Sequence, residues 1–99
     1  MRSISLQALP NQAFTFSYGG NTWRIRLISA FNRMLVDVYL NDEALILGSP
    51  IITNCRIIPY PSMDRDGNFI IDAMPDEDVN WRNFGISQIL YYITPDELP

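Results

Sequence analysis

The sequence predicts an all-β protein, folded as a small antiparallel β-barrel or β-sandwich of about seven or eight short strands. Apolar and polar residues alternate along several stretches, as they do in strands that bury one face. Turn-forming residues separate these stretches at intervals of roughly ten residues. No stretch keeps a helical apolar period over the length that an α-helix needs, and the one candidate is a single turn between Asp76 and Phe84.

The clearest element is a β-hairpin over residues 13–28. One face of its two arms is aromatic and aliphatic, and it carries Phe14, Phe16, Tyr18, Trp23, Ile25 and Leu27. Gly19, Gly20 and Asn21 separate the arms, since these residues tolerate the positive φ of tight hairpin turns. We expect the later strands to assemble on this hairpin.

The remaining strands are predicted from shorter patterns. A first strand lies within residues 1–9, before Pro10, and a strand over residues 34–40 is rich in β-branched and aromatic residues. Further short strands are expected at residues 44–47, 51–52, 55–58, 69–73 and 87–94. Gly48, Ser49 and Pro50 should stop the strand that precedes them.

Proline and acidic residues mark the predicted loops. Pro59 and Pro61 remove backbone donors, which favours an exit from the sheet between them. Residues 64–68 carry a strong turn signal, residues 75–80 form an acidic loop, and residues 95–99 form an acidic tail.

Length and composition bound the architecture. A chain of 99 residues can build one modest core, so we expect a single domain over residues 1–99. Apolar residues make up 47% and charged residues 18%, as in globular proteins. No apolar run is long enough for a membrane helix and no signal core follows the first residues. We therefore expect a soluble protein that stays inside the cell that makes it, at least until assembly. The one cysteine, Cys55, is expected to be a small buried apolar residue.

The charged residues exclude most catalytic chemistry. All 7 basic residues are arginines, and 11 residues are acidic, with no lysine and no histidine. Histidine-dependent nucleophilic catalysis, histidine-ligated metals, Schiff bases and P-loop lysines are therefore excluded. A net charge of −4 disfavours nucleic-acid binding. We expect no enzyme activity, no cofactor and no membrane partner.

Carboxylate chemistry remains as an alternative. Asp64 and Asp66 stand at alternate positions before Asn68, but their spacing to the next acidic residues does not fit a calcium loop, and a turn is the preferred interpretation. A metal-dependent hydrolase would use Asp64, Asp66 and Asp72. Asp37 and Asp72 are a conceivable acid–base pair, although a structural ion pair of Asp37 with Arg24 or Arg26 is favoured.

Binding surfaces give two further interpretations. Trp81 lies in a polar loop beside Arg82, and both residue types are enriched where protein partners dock. The residues predicted to form a partner interface are Trp81, Arg82, Asp76, Glu77, Asp78 and Tyr60. The alternative is a ligand-binding module for a saccharide or peptide, which would use Trp23, Tyr60 or Trp81 in an aromatic groove.

Several short segments follow one another in a distinctive order along nearly the whole chain. They are Pro10-Asn11-Gln12 before Phe14-Thr15-Phe16, Trp23-Arg24-Ile25-Arg26-Leu27, Phe31-Asn32, Val36-Asp37-Val38, Asp42-Glu43-Ala44-Leu45-Ile46-Leu47-Gly48, Gly67-Asn68-Phe69, Phe84-Gly85 and Leu90-Tyr91-Tyr92. In this order they resemble the plug family of phage tail baseplates, whose type member comes from a cyanophage. Two positions depart from the family pattern: Met34 and Leu35 stand where a tryptophan is expected, and Asn54 stands where glycine is preferred.

The resemblance implies a structural virion component of a contractile tail. Such a protein would be assembled in the cytoplasm of the host bacterium and would lie in the baseplate near the tail axis. Several copies would bind tube and hub or spike proteins and help to close or connect the end of the tube.

Overall fold

A computed structural model describes residues 1–98, and these fold into two antiparallel β-sheets. The seven strands of this part of the chain are β1 (Arg2–Ile4), β2 (Asn11–Tyr18), β3 (Asn21–Ala30), β4 (Arg33–Leu40), β5 (Glu43–Pro50), β6 (Asn68–Asp72) and β7 (Ile89–Ile93). The larger sheet has the order β2-β3-β4-β5, and the smaller has the order β1-β7-β6. Short 3₁₀ turns occur at Pro61–Met63, Trp81–Asn83 and Pro95–Glu97, and residues 1–98 contain no α-helix.

This architecture confirms the all-β prediction and selects the sandwich over the barrel. Neither sheet closes on itself, so the two sheets enclose one core between them. The radius of gyration is 12.5 Å, close to the value of about 13 Å for a compact chain of 100 residues. Among the described residues, no helix is long and apolar enough to span a membrane.

The larger sheet is a meander joined by three two-residue turns. In each turn both central residues have positive φ: Gly19-Gly20, Phe31-Asn32 and Asn41-Asp42. Turns of this kind match the right-handed twist of the flanking strands, and glycine, asparagine and aspartate adopt them at the lowest cost. Gly-Gly and Asn-Asp fit that preference, whereas Phe31 does not.

The apolar face predicted for the hairpin points into the core. Trp23, Ile25 and Leu27 are buried, and the β2 aromatics on the same face are half-buried. Trp23 meets Phe69 and Tyr92 of the other sheet, with ring centroids 5.1 Å and 6.2 Å apart. These aromatic contacts hold the two sheets together.

Tyr92 is fully buried in the core, but its hydroxyl group has a hydrogen-bond partner. Its hydroxyl donates a hydrogen bond of 2.7 Å to the carbonyl oxygen of Asp66. Burial, with a smaller contribution from Tyr18, raises the pKa of the Tyr92 phenol, so the donor stays protonated. The bond ties β7 to the turn before β6. The turn predicted at residues 64–68 is confirmed by a hydrogen bond of 3.0 Å from the Gly67 N–H to the Asp64 carbonyl.

Residues 51–58 differ from the prediction. The segments at 51–52 and 55–58 are not strands, and the only β pairing of this stretch is a bridge between Arg56 and Ile70. Asn54 turns the chain with a φ of +61°, which explains why glycine is preferred at its position. Its side-chain amide donates to the carbonyl of Ala73 and its side-chain oxygen accepts from the Ala73 N–H. The segment therefore lies along β6 as an irregular cover.

Two smaller predictions are also corrected. Cys55 is exposed, because it lies in the bend between the buried Ile51 and Ile57 and faces solvent. β5 does not stop at Gly48 but continues to Pro50. Gly48 has a φ of +59° and lies in a β-bulge, where the register against β4 shifts, so the strand continues past the glycine.

The end of the described chain folds back onto its beginning. The Glu97 carboxylate accepts hydrogen bonds from the Thr94 N–H at 2.9 Å and the Thr94 hydroxyl at 2.8 Å, and it pairs with the Met1 ammonium group. The Met1 contact and then the Thr94 bonds lower the pKa of Glu97 to about 2. Most of the predicted acidic tail is thus ordered, while Pro99 lies outside the described residues.

Candidate functional site

Asp64 performs a structural role. It is buried, and its carboxylate accepts a hydrogen bond of 3.1 Å from the side-chain amide of Asn68 and lies 3.6 Å from Arg56 Nη1. Asn68 is fully buried and also bonds both backbone polar groups of Ile58. The network satisfies the polar groups that would otherwise be stranded in the core.

Asp37 has a structural role, and the predicted ion pair with an arginine of the neighbouring strand forms with Arg26. It lies 4.0 Å from Arg26 on the neighbouring strand, and its Oδ1 accepts a hydrogen bond of 2.6 Å from the Gly48 N–H. Asp37 therefore fixes the bulge in β5. Asp72 lies at the end of β6 in the other sheet.

Within residues 1–98, no group of three or more histidine, cysteine, aspartate or glutamate residues is placed to hold a metal ion. The aspartates proposed for a hydrolase have separate structural roles and do not form one site. Asp64 belongs to the Asn68 network, and Asp66 offers its backbone carbonyl to Tyr92.

The aromatic residues of the ligand-binding alternative do not share a groove. Trp23 is fully buried and cannot touch a ligand. Tyr60 lines a depression beside β5, whereas Trp81 lines a different depression beside the β3–β4 turn. This arrangement gives no stacked aromatic platform of the kind that saccharides need.

Glu77, predicted as an interface residue, is engaged inside the chain. Its Oε1 accepts hydrogen bonds from Gln88 Nε2 at 2.8 Å, Asn83 Nδ2 at 3.1 Å and Ser87 Oγ at 3.2 Å. Its backbone carbonyl accepts from the Thr53 hydroxyl at 2.8 Å. Glu77 thereby positions the acidic loop, while the side chains of Asp76 and Asp78 on either side remain exposed.

Three of the predicted interface residues do lie together. Asp78 lines a groove of about 550 Å³ with Ile52 and Arg33, and Trp81 and Arg82 line its continuation of about 270 Å³. The two depressions share Asn32, Arg33, Met34 and Val79, so they form one feature, which we call the hairpin groove. Arg82 stacks on Trp81 with 4.4 Å between the guanidinium carbon and the ring centroid. Tyr60 lies outside this groove.

The sequence reasoning missed Phe31, which lies at the tip of the β3–β4 turn beside the groove. Its side chain is 95% exposed, and its φ of +53° is unfavourable for a bulky residue. Ile52, which lines the groove, is also exposed. A strained, exposed aromatic residue costs stability without contributing to the core, which points to a role in contacts with other molecules. The signal was available, since an aromatic residue occupied a two-residue turn that normally takes Asn, Asp or Gly.

The hairpin groove therefore combines apolar anchors with both signs of charge. Ile52 and Trp81 line it and Phe31 lies beside it, and these residues supply apolar contact area. Arg33, Arg82 and Asp78 are the charged residues of its lining. Such a surface suits a protein partner. The fold defines the class of a small β-sandwich, and the hairpin groove is its candidate contact surface.

A comparison with family models identifies the family within that class. The model described as the cyanophage baseplate Pam3 plug gp18 matches residues 1–96. The chain therefore belongs to the phage baseplate plug family, as its sequence resemblance implied. A search of curated proteins found no match. The family is a structural component of the tail baseplate, which points to a non-enzymatic role in the virion in association with other baseplate and tail proteins.

Proposed function

We propose that the protein is a non-enzymatic building block near the axis of a contractile tail baseplate. Several copies bind tube proteins on one side and hub or spike proteins on the other, and they help to close or connect the end of the tube until DNA is ejected. Assembly takes place in the cytoplasm of the host bacterium. The net charge of −4 supports this location, because an acidic surface does not retain passing DNA.

The observation that carries the proposal is the hairpin groove with Phe31 beside it. Exposed aromatic and apolar residues flanked by arginines are typical of the central contacts of protein interfaces. We propose that Phe31, Asp76, Asp78, Trp81 and Arg82 contact a neighbouring baseplate protein. Tyr60, 55% exposed beside β5, offers a separate contact point.

Replacing Phe31 with asparagine distinguishes the effect of this residue on stability from its effect on assembly. Asparagine adopts positive φ at lower cost, so Phe31→Asn should raise the free energy of unfolding of the isolated protein by up to about 1 kcal/mol. In a phage deleted for the gene and complemented in trans, the same variant should lower the yield of infectious particles by about tenfold or more, because an interface anchor is lost. Urea unfolding and plaque titres measure the two effects.

The controls use the same phage. Without complementation, tails should fail to assemble or should leak DNA. Ile86→Asn removes another exposed apolar residue that lines neither part of the groove, and it should restore wild-type titres. Normal infectious tails from the deletion phage would refute the structural role. Full complementation by Phe31→Asn would show that Phe31 and the hairpin groove do not form the proposed interface.

A further inference from the structure

The two open sheets have four edge strands, and three of them are protected. β1 has only three residues and contains Arg2. β5 carries register shifts, the bulge at Gly48 and Pro50. β6 is covered by the segment around Asn54 and Ile57, whose N–H groups donate to the carbonyls of Ile71 and Phe69 at 2.8 Å each. Short length, charge, bulges, proline and covering segments are the usual means of preventing edge-to-edge pairing.

The fourth edge, β2, lacks charge, proline and bulges, and among the described residues only its start is contacted by a neighbouring segment, through two hydrogen bonds between the Gln12 side chain and the Gln7 backbone. Its eight residues, Asn-Gln-Ala-Phe-Thr-Phe-Ser-Tyr, include no charge and no proline. Its pairing with β3 runs without a shift from Asn11 opposite Ile28 to Tyr18 opposite Asn21. An edge of this length and regularity is a template for another strand.

The outer side of β2 has free backbone groups. The Pro10 carbonyl accepts from the Ser29 N–H, which fixes the even-numbered residues as those that bond to β3. The odd-numbered residues therefore direct their N–H and C=O groups away from β3, and they are Asn11, Ala13, Thr15 and Ser17. Within residues 1–98, no other backbone segment bonds to this side.

The side chains of β2 are complementary to those of a second β2. In an antiparallel pair with Thr15 opposite Thr15 of the other copy, Phe14 faces Phe16, and Ala13 faces Ser17. Aromatic pairs and threonine pairs are among the favourable cross-strand combinations. The half-buried Phe14 and Phe16 would gain cover on the inner face, and no charges would be brought opposite each other.

We propose that β2 is a homodimerisation edge, at which two copies pair antiparallel about a two-fold axis through Thr15 and join their larger sheets into one. This inference goes beyond the proposed function and does not depend on it, because it concerns the purified chain. Pairing through one edge buries a small area, so the affinity should be weak, in the micromolar range or above (~1 µM to ~1 mM).

Sedimentation equilibrium on the purified protein over that concentration range tests the inference. The wild type should show a monomer–dimer equilibrium. Thr15→Lys places two like charges opposite each other and should weaken dimerisation by about tenfold or more. Ala44→Lys makes the same charge change on the exposed side of β5 and should leave dimerisation unchanged. A wild type that stays monomeric throughout, or dimers abolished by Ala44→Lys and kept by Thr15→Lys, would overturn the inference.

A charge swap tests the register. Because Thr15 lies opposite itself, a mixture of the Thr15→Lys and Thr15→Glu variants should form heterodimers at least as tightly as the wild type dimerises, while each variant alone stays mainly monomeric. Circular dichroism melting of each variant confirms that it is folded. If the mixture stays monomeric although both variants are folded, the proposed two-fold pairing is wrong.

Discussion

Replacing Trp23 with alanine should lower the free energy of unfolding by about 3–5 kcal/mol, the usual cost of removing a large buried aromatic side chain. Trp23 is fully buried and packs edge-on against Phe69 at 5.1 Å, so its loss opens a cavity where the two sheets meet. A domain of this size is stabilised by only about 5–15 kcal/mol. Urea unfolding followed by tyrosine fluorescence measures the change.

Two further variants identify the cause. In the described part of the chain, the Trp23 Nε1–H has no hydrogen-bond partner, so Trp23→Phe keeps most of the packing without stranding a polar partner and should cost clearly less than Trp23→Ala. Ile86→Ala truncates a side chain that is 77% exposed and should change stability by less than about 0.5 kcal/mol. If Trp23→Ala costs no more than Ile86→Ala, the sheets are not held together by this aromatic cluster.

Replacing Gly67 with alanine should cost about 3–5 kcal/mol, for two reasons that add. Gly67 has a φ of +121°, a backbone conformation that residues other than glycine rarely adopt. An added Cβ would also lie 2.6 Å from Cζ of the buried Tyr92 ring, which packs against Phe69 and donates to the Asp66 carbonyl. The ring cannot move without losing both contacts.

Gly20→Ala is the matched control for Gly67→Ala. Gly20 also has positive φ, +84°, but a Cβ there meets no atom within 4 Å. Only the backbone cost of about 1–2 kcal/mol should remain. Thermal melting of both variants compares them directly, and equal losses of stability would show that the close approach of Gly67 to Tyr92 is not a determinant of the fold.

The alternation of side chains was sufficient to predict most of the larger sheet. Because a strand presents every second residue to one face, Phe14, Trp23 and Val36 could be assigned to the core without coordinates. The order of the smaller sheet could not be predicted in this way. β1 pairs with β7, and Ser3 lies opposite Tyr91, a contact between the two ends of the chain that no local pattern encodes.

The errors in residues 51–58 have a similar origin. Ile57 and Ile58 are apolar like strand residues. The segment is nevertheless held to β6 by isolated backbone hydrogen bonds, and its direction is set by the turn at Asn54. Tertiary contacts therefore override the local preference for a strand, and the same bend exposes Cys55.

The candidate site was predictable only in part. The polar context of Trp81 and Arg82 indicated a contact region, and the structure adds Asp78 from the acidic loop to the same groove. The engagement of Glu77 by Asn83, Ser87 and Gln88 could not be predicted, because it depends on how the loop folds against the start of β7.

The most direct measurement is an electron cryomicroscopy map of the intact tail, resolved well enough to fit the two sheets and the β3–β4 turn. The proposal predicts that density for this sandwich lies in the baseplate at the tail axis, with Phe31 and the hairpin groove against a neighbouring protein. A baseplate in which every density is assigned to other proteins, in particles made with the gene intact, would contradict it.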